Sequence, residues 1–80
     1  MSVQVRYFAA ARDAAGCPEE WADDASTVGE LVAGLGARHG KPLTMVLARC
    51  SVLVDGRRAA PDAAVPAGAV VDLLPPFAGG

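Results

Sequence analysis

The chain has little of what catalytic and nucleic-acid-binding domains rely on. Its 80 residues include two cysteines, one histidine, one lysine and four aromatic residues. Cys17 and Cys50 do not form a CxxC pair, and two thiols are too few for a disulfide framework. They read as small apolar residues in a reducing compartment. Positive charge is scarce: the net charge of −2 argues against a nucleic-acid binder, which needs a basic surface to replace counterions on phosphate. It is also too mild to imply a particular cationic partner. No apolar run approaches the length of a membrane span. "MSVQVRYF" has no basic segment leading into an apolar run, as a signal peptide would. The expectation is a soluble cytoplasmic protein with no nucleic-acid or membrane partner. The apolar fraction of 52% includes 17 alanines, so large apolar side chains are few and the core of this single domain is small.

Reactive motifs are scarce too. There is no P-loop and no Lys-containing Gly-rich loop. "GLGARHG" lacks the GxGxxG spacing and lies inside an apolar-periodic helix instead of opening one. Glu19, Glu20, Asp23 and Asp24 have no accompanying His or Cys spacing, so they read as a solvated acidic loop and not as metal ligands. His39 falls in the last turn of a helix, where a structural role beside the C-terminal dipole is expected. Arg57 and Arg58 read as solvated, and Trp21 as part of the core edge.

What is present is a succession of short elements. "SVQVRYF" (2–8) alternates Val3, Val5 and Tyr7 with Gln4, Arg6 and Phe8, the period of a strand. "AAARDAAG" favours a short helix stopped by Gly16. A brief strand is expected over 20–22. In "STVGELVAGLGARHG", Thr27 and Glu30 have capping-box spacing. Val28, Leu31, Val32 and Leu35 form one apolar helical stripe. Gly40 marks the end of that helix, and Pro42 should prevent its continuation. "LTMVLARC" fits a helical turn or the start of a strand. "SVLVDGRRA" is a hairpin with Asp55-Gly56 at its turn. "AVVDLL" (69–74) is apolar almost throughout, as a strand buried on both faces at the centre of a sheet would be. The order implies an α+β roll, a mixed sheet packed on one main helix.

Residues 1–74 form the expected domain and 75–80 an extended tail, "PPFAGG". Pro75 and Pro76 cannot donate to a ladder, and they hold the residues after them extended. Fully extended, six residues reach about 20 Å. Phe77 is the one large side chain on this stalk. Ala78, Gly79 and Gly80 form a thin tip suited to a narrow channel, with glycines that let a partner's backbone approach closely. The Gly80 carboxylate is therefore the expected reactive group. A carboxylate is a poor electrophile, and no site for activating it is legible in this chain. Activation, for example as an acyl-adenylate made from ATP, must come from a partner.

The final strand with "LLPPFAGG" resembles the MoaD/ThiS sulfur-carrier proteins, which have the ubiquitin-like β-grasp fold. The likeness extends to "VRYFAAARDAAG", "TVGELVAGL" and "VLVDGRRA". The prolines and "PPFAGG" look more like the MoaD branch, the small subunit of molybdopterin synthase. The resemblance implies a carrier with no catalytic site of its own and no bound cofactor. Its partners would be an E1-like adenylyltransferase of the MoeB/ThiF type that uses ATP, a sulfur donor protein, and a MoaE-like large subunit or another sulfur-accepting enzyme. It implies that Gly80 is adenylated and then converted to a thiocarboxylate, and that Pro75, Pro76, Phe77, Ala78 and Gly79 contact the partner. Two positions depart from the family pattern. Asp55-Gly56 replaces a common Asn-Gly, and Phe77 stands where many relatives have a smaller apolar residue. Sulfur delivery to thiamine, cysteine or natural-product pathways, and ubiquitin-like protein modification, remain alternatives.

Overall fold

Val3, Val5 and Tyr7 are all buried, while Ser2 and Arg6 between and beside them face solvent. This two-residue alternation makes 2–7 a strand with one face on the core. The computed structural model describes residues 2–76. The elements in chain order are β1 (Ser2–Tyr7), α1 (Ala10–Ala15), β2 (Glu19–Asp23), α2 (Val28–His39), α3 (Lys41–Leu47), β3 (Ser51–Val54), β4 (Arg57–Arg58) and β5 (Val70–Leu74). The five strands form one mixed sheet in the order β2-β1-β5-β3-β4. β5 lies at its centre, parallel to β1 and antiparallel to β3. This is the expected α+β roll, with the helices on one face of the sheet.

Local chemistry accounts for the boundaries. Gly16 ends α1 in the left-handed region at φ 80°, and its N–H donates to the Arg12 carbonyl. Thr27 caps α2 by accepting from the Glu30 N–H at 3.2 Å. The Glu30 carboxylate returns to the Ser26 N–H at 3.0 Å, closing the box one residue early. The hairpin turn has positive φ at both Asp55 (49°) and Gly56 (84°), the geometry of a type I′ turn. Asp55 also ties the hairpin to the centre of the sheet. Its N–H donates to the Val70 carbonyl at 2.8 Å, and its Oδ1 accepts from the Val70 N–H at 2.9 Å.

The ambiguous 43–50 segment lies largely in α3. Pro42 does not end helical structure here; it stands in the first turn of a new helix, where its missing N–H costs nothing. Gly40, at φ 97°, makes the break between α2 and α3. Gly36 lets the two helices approach, since a Cβ built there would lie 2.5 Å from Thr44 Oγ1. The core joins Val3, Val5 and Tyr7 of β1 to Val71 and Leu73 of β5, Leu31 and Leu35 of α2, and Leu43 and Leu47 of α3.

Candidate functional site

β5 carries the chain to the expected reactive end. Val71 and Leu73 are fully buried on its helix side and Asp72 is nearly so on the other, so the strand is covered on both faces. Pro75 is buried at its end and Pro76 is exposed. The root of the tail is thus held by the core, and the chain emerges into solvent one residue later. Phe77, Ala78, Gly79 and Gly80, the other residues expected to act, lie outside the described residues. Around the root, Ala10, Met45, Val46, Arg49, Pro75 and Pro76 line an open groove of about 350 Å³. Met45 is 65% exposed there, so the surface from which the tail leaves is largely apolar with one cation at its side.

Two polar constructions hold this base, and sequence reasoning did not anticipate either. Arg6 of β1 and Asp72 of β5 are directly opposite one another in the parallel pair. The guanidinium grips the carboxylate with Nε–Oδ1 at 2.6 Å and Nη2–Oδ2 at 2.9 Å, a two-pronged ion pair. The hydrogen bond and charge of Asp72 raise the Arg6 pKa further. The signal was available: Asp72 is the one charge in an otherwise apolar central strand, and a buried carboxylate requires a partner.

The second construction corrects the reading of Glu20 as part of a solvated acidic loop. Strand alternation turns Glu20 inward beneath the C-terminal end of α2. Its Oε2 accepts from the Tyr7 hydroxyl at 2.7 Å and also contacts His39 Nε2, while Oε1 accepts from Arg38 Nη1 at 2.6 Å. Burial alone would push the Glu20 carboxyl up. The hydrogen bonds from Tyr7, Arg38 and His39, with the charge of His39, more than offset that and hold it below the ordinary carboxylate range. The same arrangement pushes the Tyr7 hydroxyl far up, by burial first and by the Glu20 carboxylate second. His39 is therefore structural as expected, through a side-chain partner on β2. The tyrosine and histidine rings meet edge to face, with centroids 6.0 Å apart.

Glu19, Asp23 and Asp24 are exposed as expected, and no cluster of three or more His, Cys, Asp or Glu able to hold a metal occurs among the described residues. Trp21 is not part of the core edge: β2 turns it to the outer face of the sheet, 65% exposed. Cys17 and Cys50 are free and half-buried against the core. Burial pushes both thiols up, and Glu20 adds to the effect at Cys17, so neither is poised as a thiolate nucleophile. Among the described residues no helix is long and apolar enough to cross a membrane.

Comparison with known proteins places these features in a wider group. The family model described as the ThiS family matches residues 5–80. No curated protein matches the chain. Among solved structures, a Pyrococcus furiosus protein provisionally named molybdopterin converting factor, subunit 1, is 28% identical, with 96% of this chain and 99% of that one covered and a TM-score of 0.85. Small archaeal modifier protein 1 of Haloferax volcanii is 26% identical over 95% of this chain and 98% of its own, with a TM-score of 0.81. A chain from the complex of subunits 1 and 2 of the Helicobacter pylori molybdopterin-converting factor is 26% identical, with full coverage of both chains and a TM-score of 0.72.

Proposed function

The chain belongs to the ThiS family of small ubiquitin-like proteins, and on that footing we propose that it is a sulfur carrier whose reactive group is the Gly80 carboxylate. The observation that carries this reading is the extent of the family match. It runs through residue 80 and so takes in Gly79 and Gly80, the segment beyond a proline buried at the end of the central strand.

The chemistry stems from the weakness of a carboxylate as an electrophile. An E1-like partner binds ATP and transfers AMP to the Gly80 carboxylate, releasing pyrophosphate. A persulfide on a sulfur donor protein attacks the activated carbonyl carbon, and AMP leaves. A second thiol of the donor then breaks the sulfur–sulfur bond. The carrier keeps a thiocarboxylate, and the donor keeps a disulfide. This chain supplies no acid, base or cofactor to those steps and acts as a carrier, not an enzyme. Its contribution is mechanical: β5 is clamped between β1 and β3, and the Arg6–Asp72 pair fixes it to β1. A thin tip on a rigid root loses little freedom on entering a channel, which limits the entropic cost of docking. Phe77 and the two prolines meet the wall of that channel.

The favoured acceptor is a pterin precursor, with this chain as the small subunit of molybdopterin synthase beside a MoaE-like large subunit. The likeness to the P. furiosus and H. pylori subunit 1 chains supports it, the latter taken from a complex with subunit 2. Reconstitution tests this. The thiocarboxylated chain mixed with a large subunit and the pterin precursor forms molybdopterin, and a chain lacking Gly80 forms none. Failure with the large subunit, alongside transfer to another sulfur-accepting enzyme, would reassign the pathway.

The likeness to small archaeal modifier protein 1 supports a second reading, a protein modifier that uses the same activated glycine to acylate lysines. Conjugates that survive denaturation and thiol reductants would favour it. Self-conjugation through a side chain could then occur only at Lys41, the sole lysine.

A further inference from the structure

β2 is an edge strand, and its register fixes which backbone groups face outward. The Tyr7 N–H donates to the Pro18 carbonyl at 2.8 Å. The two-residue alternation of an antiparallel ladder then makes Val5–Glu20 and Val3–Ala22 the hydrogen-bonded pairs. Glu19, Trp21 and Asp23 turn their N–H and C=O groups away from β1, to the free edge. Gln4, opposite Trp21, agrees with this, since its N–H points the other way and donates to the Ala69 carbonyl at 3.0 Å. At the edge, the Trp21 carbonyl accepts from Arg38 at 3.0 Å. A carbonyl has two lone pairs, so one acceptor position is left there.

The surroundings of this edge are built for more than solvent. Trp21 lies on the outer face of the sheet, 65% exposed, between Glu19 and Asp23 on the same face. On the helix side a groove of about 190 Å³ runs between β2 and α2. Leu31 and Leu35 lie in its floor, Asp23 and Glu30 stand at its rim, and Arg38, whose charge is paired with Glu20, lines it as well. Gly34 lines it too, and a Cβ built at Gly34 would meet nothing within 4 Å.

We propose that the β2 edge and the β2–α2 groove receive an extended basic segment of a partner protein, which adds to the sheet as a sixth strand beside Glu19–Asp23. Backbone groups at the edge supply the hydrogen bonds, and alternate side chains of the incoming strand fall on the two sides of the sheet. Its lysines or arginines meet Glu19 and Asp23 beside the Trp21 ring, which itself attracts cations. Its small apolar residues enter the groove over Leu31, Leu35 and Gly34.

Charge selects this occupant over a second copy of the chain. Two β2 edges paired antiparallel about Trp21 would set Glu19 of each against Asp23 of the other, and like charges directly opposite are destabilising. The site also leaves the tail free. It lies along the outer edge of β2, and β1 stands between β2 and β5 in the sheet, so the strand that carries the tail root is two strands away. A partner could hold the carrier by β2 while the tail works elsewhere, which raises the effective concentration of the tip.

Trp21 is the only tryptophan, so its emission reports this edge alone. The probe is a short acetylated peptide alternating valine with lysine, titrated against the full chain with amide NMR shifts followed in parallel. The expected result is a shift in Trp21 emission, amide changes centred on residues 19–25 and 34, and binding that weakens with salt. A version with prolines at alternate positions, which removes the donors facing the edge, binds at least about tenfold more weakly. Gly34→Gln, which fills the groove, does the same to the parent peptide while the thermal melt is retained. Should that variant fail to fold, Asp23→Lys on the exposed edge tests the same point by charge. No binding, equal binding of the proline version, or amide changes elsewhere on the fold would overturn the proposal.

Discussion

The Arg6 guanidinium meets the Asp72 carboxylate across the paired centres of β1 and β5, with contacts of 2.6 and 2.9 Å. The two ends of this pair are unequally placed. Asp72 is 7% exposed as a residue, while nearly half of the Arg6 side chain is in solvent. Removing the arginine leaves a buried carboxylate with no counter-charge, whereas removing the carboxylate leaves a cation that can turn to water. Arg6→Ala is therefore expected to lower the urea midpoint more than Asp72→Asn. The double variant should fall short of the sum of the two. Urea unfolding of the three variants checks this, and additive effects would contradict it.

Gly34 and Gly36 are expected to respond to alanine with opposite signs. Both lie in α2, where alanine is intrinsically favoured by about 1 kcal/mol. At Gly34 the new methyl meets nothing, so Gly34→Ala raises stability by up to about that amount. At Gly36 it meets Thr44 Oγ1 at 2.5 Å. Thr44 must then rotate and give up its bond to the Gly40 carbonyl. Gly36→Ala should therefore be less stable than Gly34→Ala by about 1–2 kcal/mol. Thermal melts of the two variants decide the point, and the Thr44→Ala background should narrow the gap.

Glu20 makes the fold acid-sensitive in a definite direction. Its carboxyl is held below the ordinary range in the folded chain, so the unfolded chain takes up the proton first as pH falls. The stabilisation is fully present above the unfolded value of about 4.3 and is lost as pH drops below it through the folded-state value. Glu20→Gln should cost about 2 kcal/mol at neutral pH, since charged hydrogen bonds are lost. It should also flatten the acid limb of the stability profile. Denaturant unfolding between about pH 7 and pH 3 reads both effects, and an unchanged acid limb would contradict the assignment.

Tyr7 gives a matching test in alkali, and as the sole tyrosine it reports without interference. Burial and the Glu20 carboxylate push its hydroxyl up. The phenolate band should not develop near the ordinary value of about 10 until the chain unfolds. Stability should fall with rising pH beyond that point, because only the unfolded chain loses the proton. Phenolate formation with near-UV dichroism still native would contradict this.

The parts of the fold legible in the sequence were those set by local chemistry. Thr27 and Glu30 announce the start of α2, Asp55-Gly56 the hairpin, and the apolar 69–74 run the central strand. The features missed depended on long-range apposition. Glu20 reads as one acid among four until β2 pairs with β1 and the end of α2 arrives above it, 18 and 19 residues away in sequence. Trp21 reads as core because large aromatics usually are; its neighbour's inward turn forces it outward. The α3 helix was obscured by Pro42, whose meaning inverts once Gly40 has broken the chain. For the site, "PPFAGG" supplies the expectation of a reactive tail, and the burial of Pro75 accords with a fixed root. Phe77, Ala78, Gly79 and Gly80 rest on sequence and family resemblance.

The most direct test of the carrier reading is the intact mass of the protein after incubation with an E1-like adenylyltransferase, ATP and a persulfide donor. The account predicts a gain equal to the exchange of one oxygen for sulfur, confined to the C-terminal fragment and absent from a chain lacking Gly80. An unchanged mass with an enzyme that thiocarboxylates another family member in the same reaction would contradict it.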